Sequence, residues 1–261
     1  METVRDGAYS RNVRAGRRTG NIRVALDSEN ASALVLEISP GLSRDAESIT
    51  TRARHLFDLD ADPEVVDGHL AAHGLVGSVD RVRGVRVPGA FDGFELAIRA
   101  ILGQQVTVKG ATTLMARMVS AFGERVDTGD PALTHLPPTA ARVASASIPE
   151  IRSIGLPVAR ATTLRALAER VARSELDISP SADAATLIAK ITEVPGIGPW
   201  TAQYVAMRAL HWADAFPASD IALRRAAGGI SVAELVRAAD QWRPWRAYAA
   251  MRLWLNGRTF P

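Results

Sequence analysis

The sequence predicts a mainly helical protein, α+β overall, in which a small strand-and-helix domain precedes a larger helical region. Alternating apolar and polar residues are confined to the first third of the chain. Beyond it, apolar residues recur at helical spacing between Pro- and Gly-bearing turns. The apolar content, 47% of 261 residues, is enough for a buried core. We therefore expect domains at residues 1–87 and 88–261.

In the first domain, the sequence predicts three strands followed by two helices. The strands are expected at Ala8–Arg14, Asn21–Leu26 and Ala33–Ile38, because each alternates and turn-rich stretches separate them. The helices are expected at Leu42–Phe57 and Pro63–His73. The segment Arg81–Gly89, which ends in Pro88-Gly89, is typical of a domain boundary.

In the second domain, the sequence predicts a series of helices joined by short turns. They are expected at Phe91–Leu102, Val106–Phe122, Thr139–Ala144, Pro149–Ile154, Val158–Arg173, Asp183–Ile191, Pro199–His211, Ile221–Ala227, Val232–Gln241 and Pro244–Asn256.

Composition excludes several classes of protein. The chain has no cysteine, which rules out disulfides, thiolate chemistry and iron–sulfur clusters and is typical of a reducing cytoplasm. No apolar run approaches the length of a membrane span, so a cytoplasmic location is expected. The net charge is only +3, and Lys109 and Lys190 are the only lysines among 31 basic residues. Binding to DNA must therefore depend on local arrangement, because the bulk charge is small.

The turn Val194-Pro-Gly-Ile-Gly198 is the most informative segment. It lies between two predicted helices, and Pro199 opens the second, where its missing N–H would be unpaired anyway. Gly196 and Gly198 tolerate positive φ and leave backbone N–H groups uncovered at a helix N-terminus, where they can bind a phosphate, with Ile197 anchoring the turn. The pattern favours a helix-hairpin-helix DNA clamp over an ordinary turn between two helices.

Asp220 is the candidate catalytic residue. It stands before the apolar run Ile221-Ala-Leu223, so it is an N-cap or first-turn residue, where the ionised carboxylate is favoured. Trp200 and Tyr204 recur on one face of the second hairpin helix, followed there by Met207 or Arg208. Seven of the eight Trp and Tyr residues lie between residues 200 and 254, the exception being Tyr9. Such rings suit a pocket for an extruded cationic base, although capping and core packing would explain the same residues.

Taken together, these motifs resemble the helix-hairpin-helix "Gly/Pro…Asp" (HhH-GPD) glycosylase superfamily, of the 3-methyladenine DNA glycosylase II (AlkA) type. The run from Val194 to Tyr204 and Phe216-Pro-Ala-Ser-Asp220 carry the resemblance. Further matches are Leu56-Phe-Asp-Leu59, Ala97-Ile-Arg-Ala-Ile-Leu-Gly-Gln104 and Trp242-Arg-Pro-Trp-Arg-Ala-Tyr248 running on to Trp254.

The resemblance implies a role for each matching residue. Asp220 falls on the catalytic aspartate, and Trp200, Tyr204 and Trp254 fall on aromatic residues of the base pocket. The hairpin, including Gly196, Ile197 and Gly198, falls on the segment that grips a DNA phosphate. In the family it often carries a monovalent cation on carbonyls that match Thr192, Val194 and Ile197. Gln104 and Gln105 fall on the loop that enters the duplex where the base leaves.

The chain departs from the family pattern in three places. Bifunctional relatives carry a Schiff-base lysine where this chain has Trp200, so no lyase activity is expected. The wedge position, where related enzymes can carry an apolar residue, is Gln105. The family also begins with a further strand and helix ahead of the segment that matches Met1–Val13, so the N-terminal domain is expected to be truncated. Such a truncation would leave the strand Ala8–Arg14 with an exposed edge.

The sequence thus predicts a monofunctional DNA glycosylase that excises alkylated bases, of the 3-methyladenine and 7-methylguanine type, by base flipping in base excision repair. Its expected partner is duplex DNA that contains alkylated bases, and it is expected to be a monomer without a cofactor or a membrane association. Two alternatives stay open: a non-catalytic module that binds damaged DNA, and a glycosylase for a neutral lesion such as hypoxanthine or ethenoadenine. His69 and His73 share a predicted helix face, but no third metal ligand accompanies them.

Overall fold

The computed structural model describes residues 1–75 and 83–256. It confirms the predicted fold class, a small N-terminal sheet followed by helices. The strands are β1 Glu2–Arg5, β2 Ala8–Ala15, β3 Arg18–Leu26 and β4 Leu34–Ile38. The helices are α1 Ala46–Phe57, α2 Pro63–Ala72, α3 Gly93–Leu102, α4 Val108–Phe122, α5 Ala140–Ala144, α6 Ile148–Arg152, α7 Val158–Ala172, α8 Ala184–Thr192, α9 Pro199–Ala209, α10 Ile221–Ala226, α11 Val232–Ala239 and α12 Arg246–Asn256.

The sheet is antiparallel in the order β1-β2-β3-β4, so β2 is paired on both sides. The prediction of an exposed edge at Ala8–Arg14 is therefore wrong, because β1 occupies that edge. Asp6 and Gly7, with φ of 50° and 73°, form the two-residue turn between β1 and β2. An Asp-Gly pair with positive φ at both positions favours a tight hairpin, which is the signal that could have predicted β1.

The predicted helix Leu42–Phe57 is two elements in the structure. A 3₁₀ helix, Pro40–Asp45, runs directly into α1, and Leu42 is fully buried within it. The chain must pack close against β3 there, because a Cβ on Gly20 would lie 2.1 Å from the Ser39 hydroxyl. Apolar spacing alone does not separate a 3₁₀ turn from the α-helix that follows it.

The contacts between Cα atoms divide the chain into two compact units, and each is built from two stretches of sequence. The first unit comprises residues 1–53 and 102–172, and the second comprises residues 54–101 and 173–261. The linear division at residues 87 and 88 stays a prediction. Residues 81 and 82 of the predicted boundary segment lie outside the described residues.

Asn12 is the central polar residue of the first unit. Its side chain is fully buried and donates to the carbonyls of Leu133, at 2.6 Å, and His135, at 3.1 Å. Its amide oxygen accepts a hydrogen bond from the Thr128 hydroxyl at 2.7 Å. Strand β2 is thereby joined to the segment after α4, which lies more than 110 residues further along the chain.

The second unit has α9 at its core. Ala202, Val205, Ala206 and Met207 on this helix have no exposed surface, whereas Trp200, Tyr204 and Arg208 are part-exposed. Helix α9 packs on α8, and α10 packs on α12. Within residues 1–75 and 83–256 no helix has the length and apolar character needed to span a bilayer.

Candidate active site

The carboxylate of Asp220 is held by three N–H groups. Its Oδ2 accepts the indole N–H of Trp200 at 2.8 Å, and its Oδ1 accepts the indole N–H of Trp254 at 3.1 Å. Oδ1 also accepts the backbone N–H of Leu223 at 2.9 Å, which makes Asp220 the N-cap of α10. The three bonds come from α9, α10 and α12, so the side chain is fixed in orientation by three separate elements.

The loop from residue 211 to 219 leads to Asp220, and side chains of α9 and α12 anchor its middle, at Asp214 and Phe216. The Gln203 side chain on α9 accepts the backbone N–H of Phe216 at 3.0 Å. Arg246 on α12 donates to the Asp214 carboxylate at 2.6 Å and to the Asp214 carbonyl at 2.8 Å. Because Phe216 is itself buried, the loop cannot move far without exposing an aromatic side chain.

The part-exposed face of α9 carries two aromatic side chains, Trp200 and Tyr204, followed by Arg208; we call it the aromatic face. Met207, the other residue considered for this face, is fully buried. The rings of Trp200 and Tyr204 are stacked, with centroids 5.2 Å apart and planes inclined by 8°. A base inserted between two rings needs a separation of about 7 Å, twice the van der Waals spacing. No base can therefore lie between these two rings.

The hairpin between α8 and α9 has a turn at the expected place. Gly196 has a φ of 88° and uses the tolerance of glycine for positive φ, whereas Gly198 has a φ of −93° and is extended. Gly198 is the N-cap of α9, and N-caps adopt extended backbone. Ile197 is buried, and its N–H is bonded to the Val194 carbonyl at 3.0 Å. A Cβ at Gly198 would meet no atom within 4 Å.

Open space at Gly198 is informative, because neither backbone strain nor packing within the described residues requires glycine there. A ligand that approaches the amides at the start of α9 would require it, since a side chain would cover them. The hairpin also fits the family's monovalent cation. Hard cations prefer carbonyl oxygens, and the Val194 carbonyl, which accepts one hydrogen bond, has a second lone pair. Thr192 and Ile197 supply the neighbouring carbonyls of the same turn.

The predicted insertion loop belongs to the first unit. Gln105 is exposed and has a φ of 55°, a left-handed backbone that is uncommon outside glycine. The carbonyl of Gln104 accepts a hydrogen bond from Arg160 on α7 at 2.8 Å. Their role at the DNA stays a prediction.

Most other charged side chains in this part of the second unit have structural partners. Arg243 and Arg246 pair with Asp214, and Arg246 is buried, which leaves it unsuited to a phosphate contact. Arg224 donates to the Ile230 carbonyl at 2.9 Å, whereas Arg225 is exposed. Asp214 is thus the centre of an ion-pair cluster. Glu234 completes a capping box with Ser231, and Asp240 is an exposed C-cap of α11.

Sequence reasoning missed a buried cluster around Asp58. Its carboxylate accepts the Tyr248 hydroxyl at 3.0 Å and the Val87 N–H at 2.8 Å, and it lies 3.6 Å from the His211 ring. Burial raises the pKa of the Asp58 carboxyl, while burial lowers the pKa of the stacked His55. Burial, with the charges of His55 and Arg208, lowers the pKa of His211 to about 4. In the described part of the chain no three His, Asp or Glu residues are grouped as a metal site.

Two family models match the chain. The model described as "AlkA N-terminal domain" matches residues 1–92, and the "HhH-GPD superfamily base excision DNA repair protein" model matches residues 98–238. The "Probable bifunctional transcriptional activator/DNA repair enzyme AlkA" of Mycobacterium tuberculosis is 37% identical over 97% of this chain. The chain spans only about half of that relative, 51% of its length.

A second relative matches over most of both chains. The "DNA-3-methyladenine glycosylase 2" of Escherichia coli is 33% identical over 97% of this chain and 87% of its own length. Among solved structures, the 3-methyladenine DNA glycosylase of Archaeoglobus fulgidus has a TM-score of 0.83 at 22% identity. That likeness, which covers 99% of this chain and 90% of the other, concerns the fold. With the helix-hairpin-helix turn and the capped Asp220 in place, the chain belongs to the HhH-GPD superfamily of base excision DNA repair proteins and carries an AlkA-type N-terminal domain.

Proposed function

We propose that this protein is a monofunctional DNA glycosylase that hydrolyses the N-glycosidic bond of alkylated bases in duplex DNA, with Asp220 as the catalytic carboxylate. The observation that carries the proposal is the carboxylate held by three N–H groups beside the stacked pair of Trp200 and Tyr204. The relatives' names, DNA-3-methyladenine glycosylase among them, support the substrate class.

The hydrogen bonds of Asp220 indicate different roles for its two carboxylate oxygens. An ionised carboxylate has about four lone-pair sites. Oδ1 accepts two N–H groups and Oδ2 accepts one from the described residues, so Oδ2 keeps capacity for a water molecule. Asp220 would orient or deprotonate that water and stabilise the positive charge that develops on the deoxyribose as the bond to the base breaks. Fixed N–H donors require no reorganisation during the reaction.

A base alkylated at N3 or N7 is already positively charged and leaves as a neutral molecule. The reaction then needs no strong acid to protonate the leaving group, and only the water and the sugar require assistance. Trp200 and Trp254, with Tyr204 stacked against Trp200, provide an electron-rich wall on which such a base could be held outside the helix. Release of the neutral base would follow, because the cation–π attraction disappears with the charge.

DNA would be gripped at the hairpin. Within the turn of Gly196, Ile197 and Gly198, the Ile197 N–H is bonded to the Val194 carbonyl, so the Gly198 amide is the proposed donor to a phosphate oxygen. A Cβ at Gly198 would meet no atom within 4 Å among the described residues, which leaves room for the phosphate. A monovalent cation on the carbonyls of Thr192, Val194 and Ile197 would add positive charge near that phosphate. Gln104 and Gln105 would fill the space that the flipped nucleotide vacates.

A lyase step is not part of the proposal. A Schiff base requires an amine at the reacting carbon. The position that carries this amine in bifunctional relatives is Trp200, whose indole N–H is bonded to Asp220.

Replacing Asp220 with Asn tests the proposal. We expect the D220N variant to lose at least about 100-fold in base release while binding DNA as before, because the charge that stabilises the transition state is removed. The amide NH2 also cannot accept the indole N–H that one carboxylate oxygen accepts. Release of 3-methyladenine and 7-methylguanine from methylated duplex DNA would be measured by mass spectrometry. The exposed Asp240, changed to Asn, is the matched control and should retain the parent rate.

The alternative of a module that only binds damage predicts a different result. In that case the parent protein would bind methylated DNA and release no base. Parental release by D220N would instead show that another group carries the chemistry.

A further inference from the structure

Arg208 extends the aromatic face of α9 and is fixed at two points. Its Nη1 donates to the Tyr204 hydroxyl at 2.8 Å, and its Nε donates to the Pro88 carbonyl. The guanidinium carbon also lies over the Tyr204 ring, 5.5 Å from the centroid. Two hydrogen bonds to groups on different segments hold the charge at this place.

Two side chains of α9 contact the Tyr204 ring: Trp200 stacks on it with centroids 5.2 Å apart, and the Arg208 guanidinium carbon lies over it at 5.5 Å. Trp200 precedes Tyr204 by four residues and Arg208 follows it by four, so each lies one helical turn from the ring in opposite directions along α9. From this spacing we infer that the two side chains approach the ring from opposite faces. The position at which Tyr204 could bind a cationic base is thus occupied by a cation of the protein itself.

We infer that Arg208 is a specificity-determining residue, whose guanidinium occupies the cation-binding face of Tyr204 and weakens the preference of the pocket for positively charged bases. The inference rests on the proposed glycosylase function. Two effects act in the same direction: the ring has no free face for a cationic base, and the fixed positive charge repels one. A neutral base, such as hypoxanthine, experiences neither effect. Tyr204 then supports Trp200, and Trp200 and Trp254 contact the base.

The test compares a cationic and a neutral lesion, 7-methylguanine and hypoxanthine, placed in the same duplex sequence. The quantity is the ratio of kcat/KM for the cationic over the neutral base. We expect R208Q, which keeps an N–H donor without the charge, to raise this ratio about fivefold or more, from the usual strength of a cation–π contact. R208K keeps the charge and should leave the ratio within twofold of the parent. A purely structural role of Arg208 would lower both rates and leave the ratio unchanged.

A folded R208Q variant with the parental ratio would overturn the inference. If R208Q does not fold, the same ratio is measured in the Y204L variant. When Arg208 occupies the Tyr204 ring, loss of the ring should lower the rates for both bases alike. A ratio that falls fivefold in Y204L would mean that Tyr204 binds the cationic base directly, against the inference. If the parent releases neither base, the proposed function itself has failed, which is a separate outcome.

Discussion

At the scale of single residues, Gly198 is a glycine that neither backbone conformation nor packing among the described residues requires. Its backbone is extended, and a Cβ would meet no atom within 4 Å among the described residues. Gly89, in contrast, is required by packing, because a Cβ there would lie 2.2 Å from the His55 carbonyl and 2.3 Å from the His211 ring. The fold explains Gly89, whereas nothing among the described residues requires glycine at position 198.

Replacing Gly198 with Ala should separate binding from stability. We expect the free energy of unfolding to stay the same or rise by up to about 1 kcal/mol, because alanine adopts this backbone without strain. DNA affinity should fall roughly tenfold, since a methyl group would displace the phosphate from the charged hydrogen bonds of the amides. Urea unfolding and fluorescence anisotropy with a duplex measure the two quantities. An unchanged affinity would argue against phosphate binding at this amide.

His211 makes stability depend on pH. Its pKa of about 4 lies below the ordinary value, so the neutral ring is the form that the fold accommodates. Its contribution is complete above about pH 6.5 and is lost as the pH falls toward 4, up to an order of 2–3 kcal/mol. Urea unfolding at pH 7 and pH 5 measures the change. The H211Q variant removes the titrating group and should show a smaller difference between the two pH values; an equal difference would place the effect elsewhere.

At the scale of elements, helix α9 positions both core residues and candidate site residues. One face of this helix packs the core through Ala202, Val205 and Ala206, and the other carries Trp200 and Tyr204. The hairpin places Pro199 at its first turn, where proline costs no hydrogen bond. The sequence therefore predicted this helix and its aromatic face from spacing alone. It could not decide between Met207 and Arg208, because both positions lie near the edge of that face and only packing separates them.

The sheet offers an element-scale prediction at Asn12. Its side chain joins β2 to the carbonyls of Leu133 and His135 and to Thr128. Asn12→Ala would leave these buried groups unpaired, and we expect a loss of about 2–4 kcal/mol in the free energy of unfolding. Asn21→Ala is the control, because the Asn21 side chain makes a part-buried bond of 3.1 Å to the Thr128 carbonyl. Urea denaturation should show a clearly smaller loss for Asn21; equal losses would contradict this explanation.

At the scale of the whole molecule, the two compact units are each discontinuous in sequence. Residues 54–87 belong to the unit that contains α8–α12, including the buried Asp58 that accepts the Tyr248 hydroxyl. A fragment of residues 88–261 would therefore lack part of the core of that unit and leave Tyr248 without its partner. Linear domain prediction does not detect such an arrangement, because a Pro-Gly turn marks a change of direction as readily as a boundary.

Expression of residues 88–261 alone tests this view. We expect a fragment that has helical circular dichroism but no cooperative thermal transition, since it lacks buried groups of its own unit. A fragment of residues 54–261 is the control and should unfold more cooperatively. Cooperative unfolding of 88–261 would instead support the linear division at residues 87 and 88.

The sequence by itself determined the helical fold class, most element bounds, the hairpin and the candidate Asp220, because periodicity, turn residues and capping are local properties of the chain. Only the tertiary structure decided that two indole N–H groups hold that carboxylate, that Arg208 covers Tyr204 and that Asp58 is buried beside His211. Apart from the pairing within α9, these contacts join residues that are distant along the chain. They depend on how the helices pack, which no local pattern encodes.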